Sequence, residues 1–194
     1  WRSVSHALNC FVAESFMDEL ADAAGKDPFE FRRALLDQQP RFKRVLERAA
    51  ARAGWGQPPA GRHQGIALME GYGTCLAQVA EVSVQQGTVR VHRVVCVVDC
   101  GRIVNPAIVE SQIESGIIFG LTAALWGEIT LEGGKVRETN FDRYRLMRLN
   151  EAPAIEVELL PSDESPGGIG EPSTALVAPA VCNAIFAATG ERLA

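Results

Sequence analysis

At 194 residues and 47% hydrophobic content, the chain is long enough for one large domain or two small ones with a full core. Its formal net charge of −5 excludes the general attraction to phosphate that a basic face gives nucleic-acid binders. No run reaches the roughly 18 consecutive apolar residues of a membrane span, and none is expected in this segment. The chain starts at Trp1 rather than Met, so it reads as a piece of a longer polypeptide whose targeting signal lies elsewhere.

Trp1 to Asn9 is mixed and reads as irregular. From Cys10 the apolar positions Phe11, Val12, Phe16 and Leu20 recur at helical spacing against Glu14, Asp18, Glu19 and Asp22, which predicts an amphipathic helix ending at Gly25. Asp27-Pro28 opens a second helix with an N-cap carboxylate, a proline at the first position and Glu30 three residues on; Pro40 stops it. A third runs from about Arg41 to Ala53, with Val45, Leu46 and Ala49 inward. Arg44, Arg48 and Arg52 lie on its opposite side, read as a solvated face or a partner-docking row.

Gly54 to Gly65 is a loop, after which the period changes from helical to alternating. Strands are expected over Gly65–Tyr72, around Ala77–Ser83, and over Val89–Asp99 after a turn at Gln85-Gln86-Gly87. Val94 to Val98 is apolar on both faces and should be central in its sheet. Asn105-Pro106 caps a helix to about Ala124, whose Gly116 and Gly120 form a smooth patch suited equally to helix packing and to ligand contact. Gln112, polar within that helix's apolar stripe, needs a partner if buried. Strands follow near Trp126–Leu131 and Lys135–Glu138, then an arginine-rich irregular stretch, then a strand over Ile155–Leu159 with one wet face. The class is α+β: N-terminal helices over residues 1–56, then a hairpin-built mixed or antiparallel sheet packed by helices over 57–194.

The stretch Gly167-Gly168-Ile169-Gly170-Glu171-Pro172 precedes an apolar, alanine-rich segment from Ala175. Its glycines suit positive φ angles and close backbone approach. Pro172 fits the first turn of a helix, so Glu171 falls at the positive end of the helix dipole. A carboxylate held on such a corner is a general-base candidate if it faces a pocket, and otherwise a structural cap. The five cysteines read as buried free thiols, and no metal-ligand spacing is completed by a second pair or a nearby His.

Several of these segments together resemble one family. Trp1-Arg2-Ser3-Val4, Ala13-Glu14-Ser15-Phe16-Met17-Asp18-Glu19-Leu20-Ala21, Asp27-Pro28-Phe29-Glu30-Phe31-Arg32-Arg33, Val98-Asp99-Cys100-Gly101-Arg102 with Asn105-Pro106, Gln112-Ile113-Glu114 and Gly170-Glu171-Pro172 are similar, in order, to the C-terminal part of the molybdopterin-binding large subunit of molybdenum hydroxylases. The wording is nearest to isoquinoline 1-oxidoreductase-like enzymes and bacterial aldehyde dehydrogenases of the xanthine dehydrogenase family. The resemblance implies a molybdenum–molybdopterin cofactor, in bacterial relatives usually the cytosine dinucleotide form. It implies oxidation of an N-heteroaromatic or aldehyde with water as oxygen source, and electrons leaving through [2Fe-2S] clusters on an iron–sulfur small subunit.

Within that resemblance Glu171 matches the glutamate that deprotonates the Mo-bound hydroxyl, and a firmly held carboxylate near a Lewis-acidic metal suits the task. Arg2 matches an arginine close to the cofactor, Gln112 a glutamine that hydrogen-bonds the pterin, and Gly168 and Gly170 would let the corner approach it. The Asp99-Cys100-Gly101 turn is read as structural. Two departures stand out: Ser115 where glycine is expected, and the absence of the Gly-Gln-Gly cofactor loops, which would belong to the upstream part of the same large subunit or to another subunit. The segment alone is therefore not expected to hold the cofactor in full, to hold any iron–sulfur cluster, or to work as an enzyme. The compartment, cytoplasm or periplasm, is left open. The alternative is a non-catalytic interaction or assembly domain that retains the scaffold.

Overall fold

A computed structural model of the chain describes residues 1–193. Three helices come first: α1 (Val4–Ala23), α2 (Pro28–Ala34) and α3 (Pro40–Ala53). The strands β1 (His63–Gly71), β2 (Thr74–Gln85) and β3 (Thr88–Asp99) form an antiparallel meander, and α4 (Pro106–Trp126) follows. The short strands β4 (Leu131–Glu132) and β5 (Lys135–Val136) pair only with each other, so the two longer strands expected there shrink to a small separate ribbon. β6 (Ala154–Leu159) adds parallel to β3, giving the order β1-β2-β3-β6, and α5 (Pro172–Thr189) closes the chain. As expected from its apolar run, β3 is an interior strand.

The sheet is covered on both sides. One core joins Leu76, Ala80, Val94 and Cys96 of the sheet to Ile113 and Ile117 of α4 and to Leu176, Val177 and Ala180 of α5. The other packs Val45, Leu46 and Ala49 of α3 onto Ala77, Val79, Val95 and Val97. The helical segment 1–56 therefore shares both cores with the sheet. Both α4 and α5 are long and apolar enough to cross a membrane by length and composition, although polar residues interrupt each; α5 is mostly buried inside the protein as a core helix.

Helix α1 departs from its sequence reading twice. It starts at Val4, because Ser3 is buried with φ 77° at the N-cap and its carbonyl takes a hydrogen bond from the Tyr72 hydroxyl at 3.2 Å. More tellingly, the amphipathic assignment is reversed in part, although Glu19 and Asp22 are exposed as expected. Glu14 and Asp18 face inward and Val12, Phe16 and Leu20 face out.

A buried ionic cluster explains the reversal. The fully buried Arg32 of α2 bonds Glu14 at 2.9 Å and Asp18 at 3.4 Å. Glu14 also accepts the Leu68 amide of β1, and Asp18 accepts Arg192 beyond α5. Every charge is paired, which is what makes the burial tolerable.

The arginine row of α3 is exposed, as expected, but its guanidinium groups are also paired. Arg44 pairs with Asp99, Arg48 with Glu158, and Arg52 with Glu156 and Glu158, tying α3 across β3 and β6. Such half-exposed pairs contribute only about 0–1 kcal/mol each, so they orient α3 more than they stabilise it.

Replacing Arg32 by Met should cost about 3–5 kcal/mol in urea unfolding at pH 7, because buried Glu14 loses its one ion-pair partner and buried Asp18 one of two. Burial pushes the carboxyls of Glu14 and Asp18 up, against the pull of Arg32. Groups whose folded-state pKa is raised favour the fold at pH below their unfolded values, and that contribution is lost as pH rises through the folded ones. The variant should therefore recover part of its loss as the pH is lowered toward 4.5, the unperturbed value for Glu14.

Candidate functional site

Close packing of α5 determines where Glu171 stands. A Cβ at Gly65 of β1 would overlap the Ala180 carbonyl and the Ala184 amide, one at Gly116 would overlap the Ser173 hydroxyl, and one at Gly120 would press on Val177 and Thr174. The Gly116–Gly120 patch is thus a helix-packing surface against α5. Any larger side chain at these points would push α5 off the sheet. Gln78, fully buried on β2, adds a polar tie by donating to the Ser173 carbonyl at 2.8 Å.

The loop leading to α5 is docked at its other end by the Asp99-Cys100-Gly101 turn. Asp99 is fully buried, bonded to Arg41 and Arg44 at 2.9 Å each and to the Gly101 amide at 3.1 Å. Burial pushes its carboxyl up, but Arg41, the Gly101 amide and Ser162 outweigh that and hold it below the usual carboxylate value. Gly101 has φ 73° and lies so close to Ser165 that no side chain fits. The Arg102 amide then bonds the Glu164 carbonyl, and the Gly167 amide bonds the Cys100 carbonyl. The turn is structural, and what it positions is the glycine corner.

None of Gly167, Gly168 and Gly170 has positive φ; close approach alone explains the first two. A Cβ at Gly167 would sit 2.5 Å from the Thr74 hydroxyl, and one at Gly168 3.0 Å from Cβ of Tyr72. The Gly168 amide and carbonyl bond Tyr72 and Thr74, each at 2.8 Å, so Gly168 seats the corner on the β1–β2 turn.

Four of the five residues singled out by sequence stand near one another. Arg2 donates from Nε to the Gly170 carbonyl at 2.9 Å, from Nη2 to the Gln112 carbonyl and Oε1 at 3.3 Å each, and from Nη1 to the Ser115 hydroxyl at 3.1 Å. Glu171 follows Gly170 directly, as the N-cap residue of α5. Its side chain makes no capping bond; only its carbonyl does, accepting the Thr174 amide at 3.0 Å. The carboxylate is therefore not consumed by the helix end. Its polar neighbour is Tyr72, whose phenol is pushed up first by burial and then by Glu171 beside it. Gly168, on the same loop, contacts the β1–β2 turn instead.

Ser115, where glycine was expected, leaves the close approach to α5 intact because Gly116 makes it. The serine instead gives Arg2 one of its acceptors. Sequence reasoning missed Tyr72 and the Trp1–Phe119 contact, with ring centroids 5.2 Å apart beside Arg2. No local signal marks either, since each partner lies on a different element.

The donor set fits a polar organic cofactor better than a bare metal. Among the described residues no three His, Cys, Asp or Glu side chains gather to hold an ion, and the cysteines are free, with Cys96 pushed up to about 12 by burial. The Gln112 amide nitrogen donates no hydrogen bond within the described residues, and a Cβ at Gly170 would meet only Gln112 Oε1, at 3.8 Å. These leave a free donor beside open space next to Glu171. Arg2, Gln112 and Glu171 are half-buried and Gly170 is exposed, and none of them lines the 280 Å³ cavity formed by Asp18, Trp55, Gln64, Asn183 and Phe186 among others.

Comparison with known proteins agrees with this chemistry. Residues 13–153 match the molybdopterin cofactor-binding domain model. The chain is 33% identical over 99% of its length to the isoquinoline 1-oxidoreductase subunit beta of Brevundimonas diminuta, covering 25% of that protein. It is also 33% identical over 99% of its length to a protein of Gluconacetobacter polyoxogenes named as a membrane-bound, pyrroloquinoline-quinone aldehyde dehydrogenase, covering 28% of it. The chain thus spans about a quarter of the length of these curated relatives. Its whole length superposes on 40% of the aldehyde oxidoreductase chain of Desulfovibrio desulfuricans with a TM-score of 0.75 at 16% identity, which shows the fold. The chain belongs to the molybdopterin cofactor-binding domain family, whose model its residues 13–153 match.

Proposed function

We propose that this chain forms part of the large subunit of a molybdenum-dependent hydroxylase that oxidises an N-heteroaromatic compound or an aldehyde, with water as the oxygen source. The observation that carries the reading is a carboxylate, Glu171, at the head of a buried helix and free of any capping bond, beside the cluster of Arg2, Gln112 and Gly170. Membership of a molybdopterin-binding family supplies the cofactor class. Relatives named for isoquinoline, nicotinate and aldehydes supply the substrate classes.

When bound, the molybdenum centre would activate a water-derived oxygen and accept the substrate's electron pair. Glu171 would serve as the general base, accepting at its carboxylate the proton of the water-derived oxygen that is transferred to the substrate. The Gln112 amide would donate to the pterin, the bare Cα positions of Gly168 and Gly170 would keep the corner slim, and Arg2 would hold the Gly170 carbonyl so that the base cannot swing. The cofactor form with a cytosine dinucleotide, and a partner subunit bearing [2Fe-2S] clusters to carry electrons away, belong to the same proposal.

In the complete enzyme, Glu171→Gln should lower substrate-dependent dye reduction by about 10²–10⁴-fold while the molybdenum and pterin content stays at the wild-type level. Turnover per molybdenum within twofold of wild type, by the same principle, would leave the chain an assembly domain. A wild-type enzyme that carries pyrroloquinoline quinone and no molybdenum would overturn the cofactor assignment.

Arg2 should act on the position of the base. Arg2→Met removes a charged donor from the Gly170 carbonyl, a bond of the 1.5–3 kcal/mol class, so exchange of the Thr174 amide that caps Glu171 should quicken by about tenfold or more. Amides of the β2–β3 ladder should keep their protection, and kcat should fall with little change in metal content.

A further inference from the structure

The outward side of α1 is a ridge of large hydrophobic side chains. Val4, Leu8, Val12, Phe16 and Leu20 recur every fourth residue, so each side chain lies beside the next in a row that winds slowly round the helix. They are 63, 68, 60, 57 and 39% exposed. From Val4 to Phe16 the remaining exposed positions are Ser5, Asn9 and Ala13, and none carries a charge. Of the helix's four carboxylates, Glu14 and Asp18 are turned inward to Arg32, while Glu19 and Asp22 are exposed beyond Phe16. A helix face that stays in water is normally polar. A continuous apolar row, held outward by a buried ionic cluster on the opposite side, has the character of an interaction surface.

Two further observations choose the occupant. The apolar surface continues past the end of α1 through exposed Trp1 onto Phe119 of α4, so it borders the cluster of Arg2, Gln112 and Gly170. The fold also occupies only 40% of the Desulfovibrio chain it superposes on in full, and about a quarter of its curated relatives, so in such proteins this unit is one part of a larger subunit. A lipid surface fits less well, because α1 contains no Lys or Arg to flank its apolar side.

We infer that the α1 ridge is the seat on which the remaining part of the molybdopterin-binding subunit docks, through apolar side chains, closing the open side of the Gly170–Glu171 corner. The inference rests on membership of a larger subunit but not on Glu171 acting as a base.

The test is hydroxyl-radical footprinting of Phe16 and Leu8 in the complete, unmodified subunit, with the urea-unfolded subunit as reference. It is run at dilutions where sedimentation shows a single copy. A docked ridge should be oxidised at least about tenfold more slowly than the unfolded chain. Oxidation at about half the unfolded rate, as the exposure of Phe16 on its own would give, overturns the inference. Protection that appears only at concentrations where two copies associate, or only on adding vesicles of anionic phospholipid, also overturns it, in favour of a second copy or a membrane. In the Val12→Glu/Phe16→Glu variant of the complete subunit, protease cleavage between this segment and the rest should quicken by about tenfold. Unchanged cleavage would overturn the inference, and a variant that fails to accumulate leaves the wild-type footprint to decide.

Discussion

The structure depends on how closely α5 can approach its neighbours. A helix lies flush on a strand and on another helix only where the facing positions lack side chains, and here those positions are Gly65 on β1 and Gly116 and Gly120 on α4. Dispersion falls off steeply with distance, so these contacts are strong when the fit is close and are lost when it opens. The head of α5 is thereby fixed relative to α4, and with it the distance between Gly170 and the α4 residues Gln112 and Ser115. Arg2 then spans that fixed gap with hydrogen bonds to both sides. If α5 moved outward, the guanidinium could not reach both.

Charge does a second, different task. Two buried carboxylate centres, Glu14 with Asp18 and Asp99, are each met by arginine, and each joins elements that are distant in sequence. The first sets the rotation of α1 about its own axis, which decides which side chains face out. The second pins the turn after β3, from which the loop to Glu171 is hung. Buried ion pairs are weak sources of net stability, but they penalise any alternative arrangement that would leave one partner alone. Their value in this protein is orientation, and both act at one remove from the candidate site.

The elements were largely legible in the sequence because they depend on local chemistry. Asp27-Pro28 and Asn105-Pro106 start helices where expected, with each side chain accepting amides of the first turn, since capping needs only neighbours within a few residues. The alternating runs identified the meander and its central strand. The ribbon near Gly133-Gly134 was overestimated because its strands gain no partner in the main sheet, and propensity alone cannot supply one. Among site residues, Arg2, Gln112 and Gly170 could be marked only by resemblance to a family, as nothing in their spacing indicates that they meet.

The capped helix starts at Asp27-Pro28 and Asn105-Pro106, strand periodicity, the composition of the core and the unusual glycine corner were determined by the sequence by itself, because each follows from interactions within one turn or one pleat. Only the tertiary structure decided which side of α1 is buried, that the α3 arginines pair across the sheet, that Gly116 and Gly120 serve packing, and that the Glu171 carboxylate is left uncapped. Those outcomes turn on partners more than a dozen residues away, such as Arg32 for Glu14, Glu158 for Arg48 and α5 for Gly116. A hydrophobic period is satisfied equally by a core and by a docking surface. For α1 the balance was tipped by three buried charges that no periodicity records.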